Sequence, residues 1–304
     1  MSHTRQWFHR LFPRTGAGTK GKPGWGGPTA CLTLVVSLVL VGPMVPEKAA
    51  SQGVGVSPTA LFLHRGERSS RLILFNQGDR PVEVEISFAF GYATSDSAGR
   101  VTVPLSDTAP PGEPSLTPYL RAFPQRLRLQ PGQRGAVRVL VQAPPDLPSG
   151  EYWARVLVSS TGAQIPVEQR VGQSTITLNM KSVIAVAANY RHGPVGTSLE
   201  VESAEATAEK EEVRLLLDLA RGGNAAWLGR VEARIVDGRG LEMGRTVQDV
   251  AVYRPLRWGV TIPLERPLDG DGYIVQYVLS TVRPDEDRED ILSAPAVRGS
   301  VPVG

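Results

Sequence analysis

Short runs of alternating apolar and polar residues, separated by turn residues, recur from about residue 54 to the end of the chain. This is the pattern of half-buried strands in an all-β sandwich. Val82, Val84 and Ile86 alternate with Glu83, Glu85 and Ser87, which makes one strand face apolar and the other wet. Val137, Val139 and Val141 repeat the pattern. Arg71-Leu-Ile-Leu-Phe75 runs into Asn76-Gln-Gly-Asp-Arg80, a turn whose Asn and Gly tolerate positive φ. Leu127-Arg-Leu129 runs into Gln130-Pro-Gly-Gln133, with Pro and Gly at the turn centre. The Pro-rich connection 143–150 precedes a strand over 151–158, and residues 91–123 read as looser loops. Residues 202–212 favour helix by propensity but lack apolar periodicity, and they read as a solvated loop or a hairpin edge.

The plan is repeated. Residues 147–160 can be laid on residues 268–281 with Leu and Tyr at the same spacing, and both segments end in a Ser-Ser or Ser-Thr pair. Asn76 and Val82-Glu-Val-Glu-Ile86 echo Asn224 and Val231-Glu-Ala-Arg-Ile235. Two tandem sandwiches account for this better than one large barrel. Tyr152 and Tyr273, at the start of the matched strands, are either tyrosine corners bonded to nearby backbone or core aromatics.

The length, 304 residues, suits two domains. We expect a signal segment over 1–51, an N-terminal domain over 52–190 and a C-terminal domain over 191–304. In the leader a basic stretch precedes the apolar run Ala30–Val41, which ends at Gly42-Pro43, and Ala49-Ala50-Ser51 offers small residues for cleavage. The run is short for a bilayer span, so membrane attachment is expected only if the leader is retained. The leader also holds the excess positive charge: residues 52–304 carry 27 Lys+Arg against 29 Asp+Glu. No basic cluster follows Ser51, which argues against a nucleic-acid reader. The single Cys, Cys31, excludes a disulfide framework within one chain.

Catalytic motifs are missing. Beyond the leader only His64 and His192 remain, and no His-Glu-x-x-His, Gly-x-Ser-x-Gly or phosphate-loop pattern occurs. Asp285-Glu-Asp-Arg-Glu-Asp290 has oxygens enough for a hard cation but no known ligand spacing, and it reads as a charged loop tip. The expectation is a non-enzyme without cofactor or metal.

Several motifs, in order, carry a family resemblance: Val56-Ser-Pro58, Leu61-Phe-Leu63, Asn76-Gln-Gly78, Phe123-Pro124, Leu129-Gln-Pro-Gly132, Val137-Arg-Val139, Gly150-Glu-Tyr-Trp153 and Asn189-Tyr-Arg191. Together with the leader, this series resembles the PapD-like periplasmic pilus-assembly chaperones over 54–192 and, more weakly, 197–303. The resemblance implies two immunoglobulin-like sandwiches and an exported, periplasmic location. It also implies a client, a secreted or surface subunit, bound by donation of a β-strand. The matching strand is Ser174–Ser182, in which Ile176, Leu178 and Met180 share one face and Thr175, Thr177, Asn179 and Lys181 the other. Its continuation, Val183–Ala187, reads as a strand buried on both faces, and the preceding stretch 159–173 as an apolar flap or further strand. Such chaperones hold the client's terminal carboxylate with two basic residues. Those positions fall here near Thr59-Ala60 and Ala187-Ala188 and carry no charge. Lys181 and Arg191 are the candidates to substitute. The alternative function is a structural or scaffolding protein of the cell envelope built from tandem immunoglobulin-like domains.

Overall fold

A computed structural model describes residues 53–165, 170–171, 174–175, 178–284, 287 and 289–304. For 162–165, 170–171, 174–175 and 178–180 the backbone alone is described. The leader expected over 1–51 lies outside the described residues, as does Ile176.

The first sandwich is built from β1 (Val54–Ser57), β2 (Ala60–His64), β3 (Ser69–Asn76), β4 (Val82–Ala89), β5 (Thr94–Ser95), β6 (Val101–Thr102), β7 (Leu120–Phe123), β8 (Arg126–Leu129), β9 (Arg134–Val141), β10 (Gly150–Ile165), β11 (Arg170–Val171), β12 (Ser174–Thr175) and β13 (Leu178–His192). One sheet has the order β1-β3-β9-β7 and the other β2-β13-β10-β4-β8. The chain changes sheets between β1 and β2, at Pro58 and Thr59. Alternation does its work on both inner faces. Leu72, Leu74, Val137, Val139, Val156, Val186 and Tyr190 are all buried in one apolar core, while Glu83, Glu85 and Arg138 face out.

The second sandwich follows with β14 (Thr197–Ala208), β15 (Glu212–Gly223), β16 (Trp227–Val236), β17 (Glu242–Val252), β18 (Leu256–Pro263), β19 (Ile274–Ser280) and β20 (Val297–Pro302). Its sheets are β14-β15-β18 and β17-β16-β19-β20. Leu215, Leu217, Trp227, Val231, Ile235, Val260 and Leu279 form its core. The fold is therefore all-β, with two immunoglobulin-like sandwiches in tandem. Residues 202–208 belong to the edge strand β14, the hairpin-edge reading of that stretch.

The internal repeat is visible in the ladders. β10 lies between β4 and β13 as β19 lies between β16 and β20. The second echo is displaced, however. Ile86 stands opposite Val158, and Val231 stands opposite Leu279, the residue matched to Val158. Ile86 therefore corresponds to Val231 and not to Ile235; a shift by an even number of residues preserves the apolar face, so the sequence could not reveal it.

Local chemistry fixes the turns. Gly132 adopts φ 69° and Gln133 N donates to Gln130 O at 2.9 Å, as a Pro-Gly turn requires. The turn after β3 works differently from its expected use of positive φ: Gly78 is not among the glycines with positive φ. The buried Asn76 side chain closes the turn instead, donating to Arg80 O at 2.7 Å and Leu129 O at 3.1 Å and accepting from Gly78 N at 3.0 Å. Tyr152 Oη donates to Pro148 O at 2.9 Å, and Tyr273 Oη to Asp269 O at 3.2 Å. Both are tyrosine corners, one at the same place in each sandwich. Tyr152→Phe and Tyr273→Phe each remove one such bond and are expected to lower stability by about 1 kcal/mol, measured by urea unfolding. A loss in one variant only would mean that the two corners are not equivalent.

Candidate functional site

The longest ladder joins β10 to β13, from Gly150 opposite His192 out to Ile165 opposite Leu178, with a bulge between Thr161 and Gln164. β4 accompanies β10 only from Arg155 to Thr161. On its other side β13 is paired by β2 only from Ala187 to Arg191, in parallel register from Ala60 to His64. Two consequences follow. Among the described residues, the sheet narrows past Thr161 and Lys181 to a two-stranded ribbon. From Leu178 to Val186, among the described residues, no strand covers the outer edge of β13. At about 3.3 Å per residue that is roughly 30 Å of exposed peptide groups, a ready template for an added strand.

The side chains along this edge correct one expectation. Val183–Ala187 is not buried on both faces. Val186 is buried and Ile184 half-buried on the core side, but Val183 is 48% exposed and Ala185 is exposed on the other. The unbroken apolar run marks a sheet face open to solvent and not a covered one. Leu178 and Met180 hold backbone positions at the start of β13, and the stretch expected as a flap is strand as far as Ile165. Lys181 is exposed beside a groove of about 440 Å³ lined also by Glu83, Glu85, Arg126 and Arg128. There Arg126 Nη2 pairs with Glu85 Oε1 at 2.6 Å, and this guanidinium, with Lys181 as a weaker contributor, holds the Glu85 carboxyl below its ordinary value.

The two uncharged positions singled out in the sequence are neighbours: Ala60 stands opposite Ala187, and Ala187 N donates to Thr59 O at 3.2 Å. The next residue in that row is Arg155 on β10, opposite Ala187. Its Nε donates to Gly91 O at 3.1 Å and its guanidinium carbon lies 5.6 Å from the centre of the Tyr253 ring. Sequence reasoning passed over Arg155 because it looked like any outward residue of an alternating strand. Only the register places it beside the two alanines.

Arg191 is committed elsewhere. Its Nε donates to Glu151 Oε2 at 3.0 Å, its Nη2 donates to the Asp290 carbonyl, and the group lies over the Phe62 ring. Glu151 is fully buried and also accepts from Ala226 N at 3.1 Å. Around this pair the two sandwiches meet. Phe90, Trp153, Ala226, Leu228 and Tyr253 form a third apolar cluster, Tyr253 Oη donates to Asn189 Oδ1 at 3.2 Å, and Arg254 Nη2 pairs with Glu113 Oε2 at 2.7 Å. The segment 91–123 is less loose than its composition suggests. Its short β5–β6 hairpin reaches the second sandwich, where Gly259 N donates to Gly99 O at 3.0 Å and Arg257 N to Ser95 Oγ at 2.9 Å. A Cβ on Gly99, whose φ is 74°, would lie 2.7 Å from Gly259 N.

Neither histidine is set beside a nucleophile. His64 is exposed with Glu67 at 4.0 Å, and His192 is buried with Nδ1 3.4 Å from Tyr190 Oη. Among the described residues no group of three or more His, Cys, Asp or Glu could hold a metal ion, and no helix is long and apolar enough to cross a membrane.

No family model and no curated protein matches the chain. Solved structures similar to it include chaperones of pili and fimbriae. One is a chain from the complex of Salmonella enterica SafA pilin with the SafB chaperone, at 14% identity and TM-score 0.37, covering 82% of this chain and 97% of that one. Another is the CupB2 chaperone of Pseudomonas aeruginosa, at 12% identity and TM-score 0.39, covering 82% and 100%. A third belongs to the chaperone–tip adhesin complex of CFA/I fimbriae, at 12% identity and TM-score 0.40, covering 82% and 99%.

Burial pushes the Glu151 carboxyl above its ordinary value, against the pull of Arg191 and the Ala226 amide. The carboxyl's contribution to stability is therefore present at low pH and is lost as pH rises through the raised value. Glu151→Ala would leave Arg191 without its carboxyl partner in the joint and is expected to cost about 3 kcal/mol. Glu151→Gln should cost less and should remove this part of the pH dependence. Urea unfolding across pH measures both, and equal loss in the two variants would contradict the assignment.

Proposed function

We propose that the protein is a periplasmic molecular chaperone that assists folding and assembly of a pilus or other surface subunit by lending it β13. The observation that carries this reading is the unpaired outer edge from Leu178 to Val186, set on a ribbon that the rest of its sheet does not accompany. A two-stranded ribbon is marginal alone. A client segment laid along β13 makes it a three-stranded sheet, and backbone bonds supply affinity whatever the client's sequence. Ile176, Leu178 and Met180 alternate along the donated stretch and would fill client pockets. Lys181 at the base of the ribbon and Arg155 beside Ala60 and Ala187 are the cations available to a client carboxylate, while Arg191 serves the joint between the sandwiches.

The reading requires export, and it leaves a scaffolding role as the outcome in which no transient client is found. Leu178→Asp and Met180→Asp place a charge in the donated face. Each is expected to reduce recovery of a co-purifying subunit from the cell envelope by about tenfold or more, with thermal unfolding of the protein unchanged. Undiminished recovery would overturn donation through this face.

A further inference from the structure

The outward face of the other sheet of the first sandwich, β1-β3-β9-β7, takes no part in strand donation and has a charge pattern of its own. Arg71 on β3 stands opposite Arg138 on β9, and Arg138 stands opposite Phe123 on β7. Arg121 and Arg134 lie on the same face, and all four arginines are exposed. β1, β3, β7 and β9 contain no Asp or Glu. The contacts of these guanidinium groups are with neutral partners. Arg138 donates to Ser69 Oγ at 3.1 Å, Arg121 to the carbonyls of Leu120 at 2.7 Å and Pro118 at 3.1 Å, and Arg134 lies over the Phe75 ring at 5.6 Å. Among the described residues none has a carboxylate within 4.0 Å.

This is segregation and not the habit of the chain. In the opposite sheet Arg126 is paired with Glu85, in the second sandwich Arg230 with Asp249, and residues 52–304 are net acidic. Like charges directly opposed across a ladder destabilise it, so the Arg71–Arg138 pair is a standing cost in the free molecule that a bound anion would relieve. Between the cations sits exposed hydrocarbon: Phe123 is 60% exposed and Ile73 36%.

We propose that this face rests on an anionic phospholipid surface. Guanidinium groups match phosphate oxygens bidentately. Phenylalanine and aliphatic side chains enter the boundary between headgroups and acyl chains. A sheet face of one charge sign needs only a broad field of the opposite sign, which a lipid leaflet provides. A folded protein partner is recognised through a mixed set of donors and acceptors, and this face offers cations and hydrocarbon with little to fix a register.

The test is co-sedimentation of the full-length protein with vesicles of phosphatidylcholine alone and of phosphatidylcholine mixed with phosphatidylglycerol. Binding is expected with the mixed vesicles and not with the neutral ones, and it should weaken as salt is raised. Arg71→Gln combined with Arg138→Gln should lower the vesicle-bound fraction at least roughly tenfold. The leader is common to protein and variant, so the difference reports the face. Client recovery should stay unchanged, and the thermal unfolding temperature should not fall, because the opposed charges are gone; this separates the inference from strand donation. Equal binding of protein and variant, or equal binding to both vesicle types, would overturn the proposal. So would capture by polyglutamate in place of vesicles, which would assign the face to an acidic polypeptide.

Discussion

Everything distinctive in this molecule follows from how far β2 reaches along β13. The chain enters through one sheet as β1, crosses at Pro58 and Thr59, and joins the other sheet at Ala60 opposite Ala187. From there to Arg191 the strand is closed on both edges, and Ala188 and Tyr190 are buried in the core. Short of Ala187 it is closed on one edge only. The same polypeptide is thus a core strand at one end and an unfilled template at the other. Backbone hydrogen bonding is an obligation of every residue, and along the open edge an added strand could meet it.

The closed end of β13 runs into the joint between the sandwiches. Arg191 and Glu151 face each other across the β10–β13 ladder, and the second sandwich supplies Ala226 N–H and the Asp290 carbonyl to complete the pair. Tyr253 reaches back to Asn189, two residues before Arg191. A charge pair with so little water around it contributes less to net stability than to specificity of arrangement, since each partner is costly without the other. The open edge is therefore mounted on the same strand that ties the two sandwiches together.

Much of the fold was legible in the sequence because its signals were local. Period-two alternation marked β4 and β9, the Pro-Gly pair marked the turn at Gly132, and the spacing of Leu and Tyr showed the repeat that the two tyrosine corners share. What was not legible depended on register or on distant partners. Arg155 gains meaning only from the two alanines in its row, and Arg71 and Arg138 only from standing opposite one another. Val183–Ala187 misled for a related reason: apolar residues on both faces of a strand are equally the mark of a covered sheet and of a sheet with one bare apolar face. Segment 91–123 reads as loop because Ser95 and Gly99 find their partners in the second sandwich, more than 150 residues away.

The central claim is that the outer edge of β13 receives a strand. Amide hydrogen exchange of the protein alone and of its complex recovered from the cell envelope tests this most directly. The account expects rapid exchange in the free protein at edge amides between Leu178 and Val186, and strong protection of those amides in the complex. Protection confined to other surfaces, with this edge exchanging as fast as before, would contradict it.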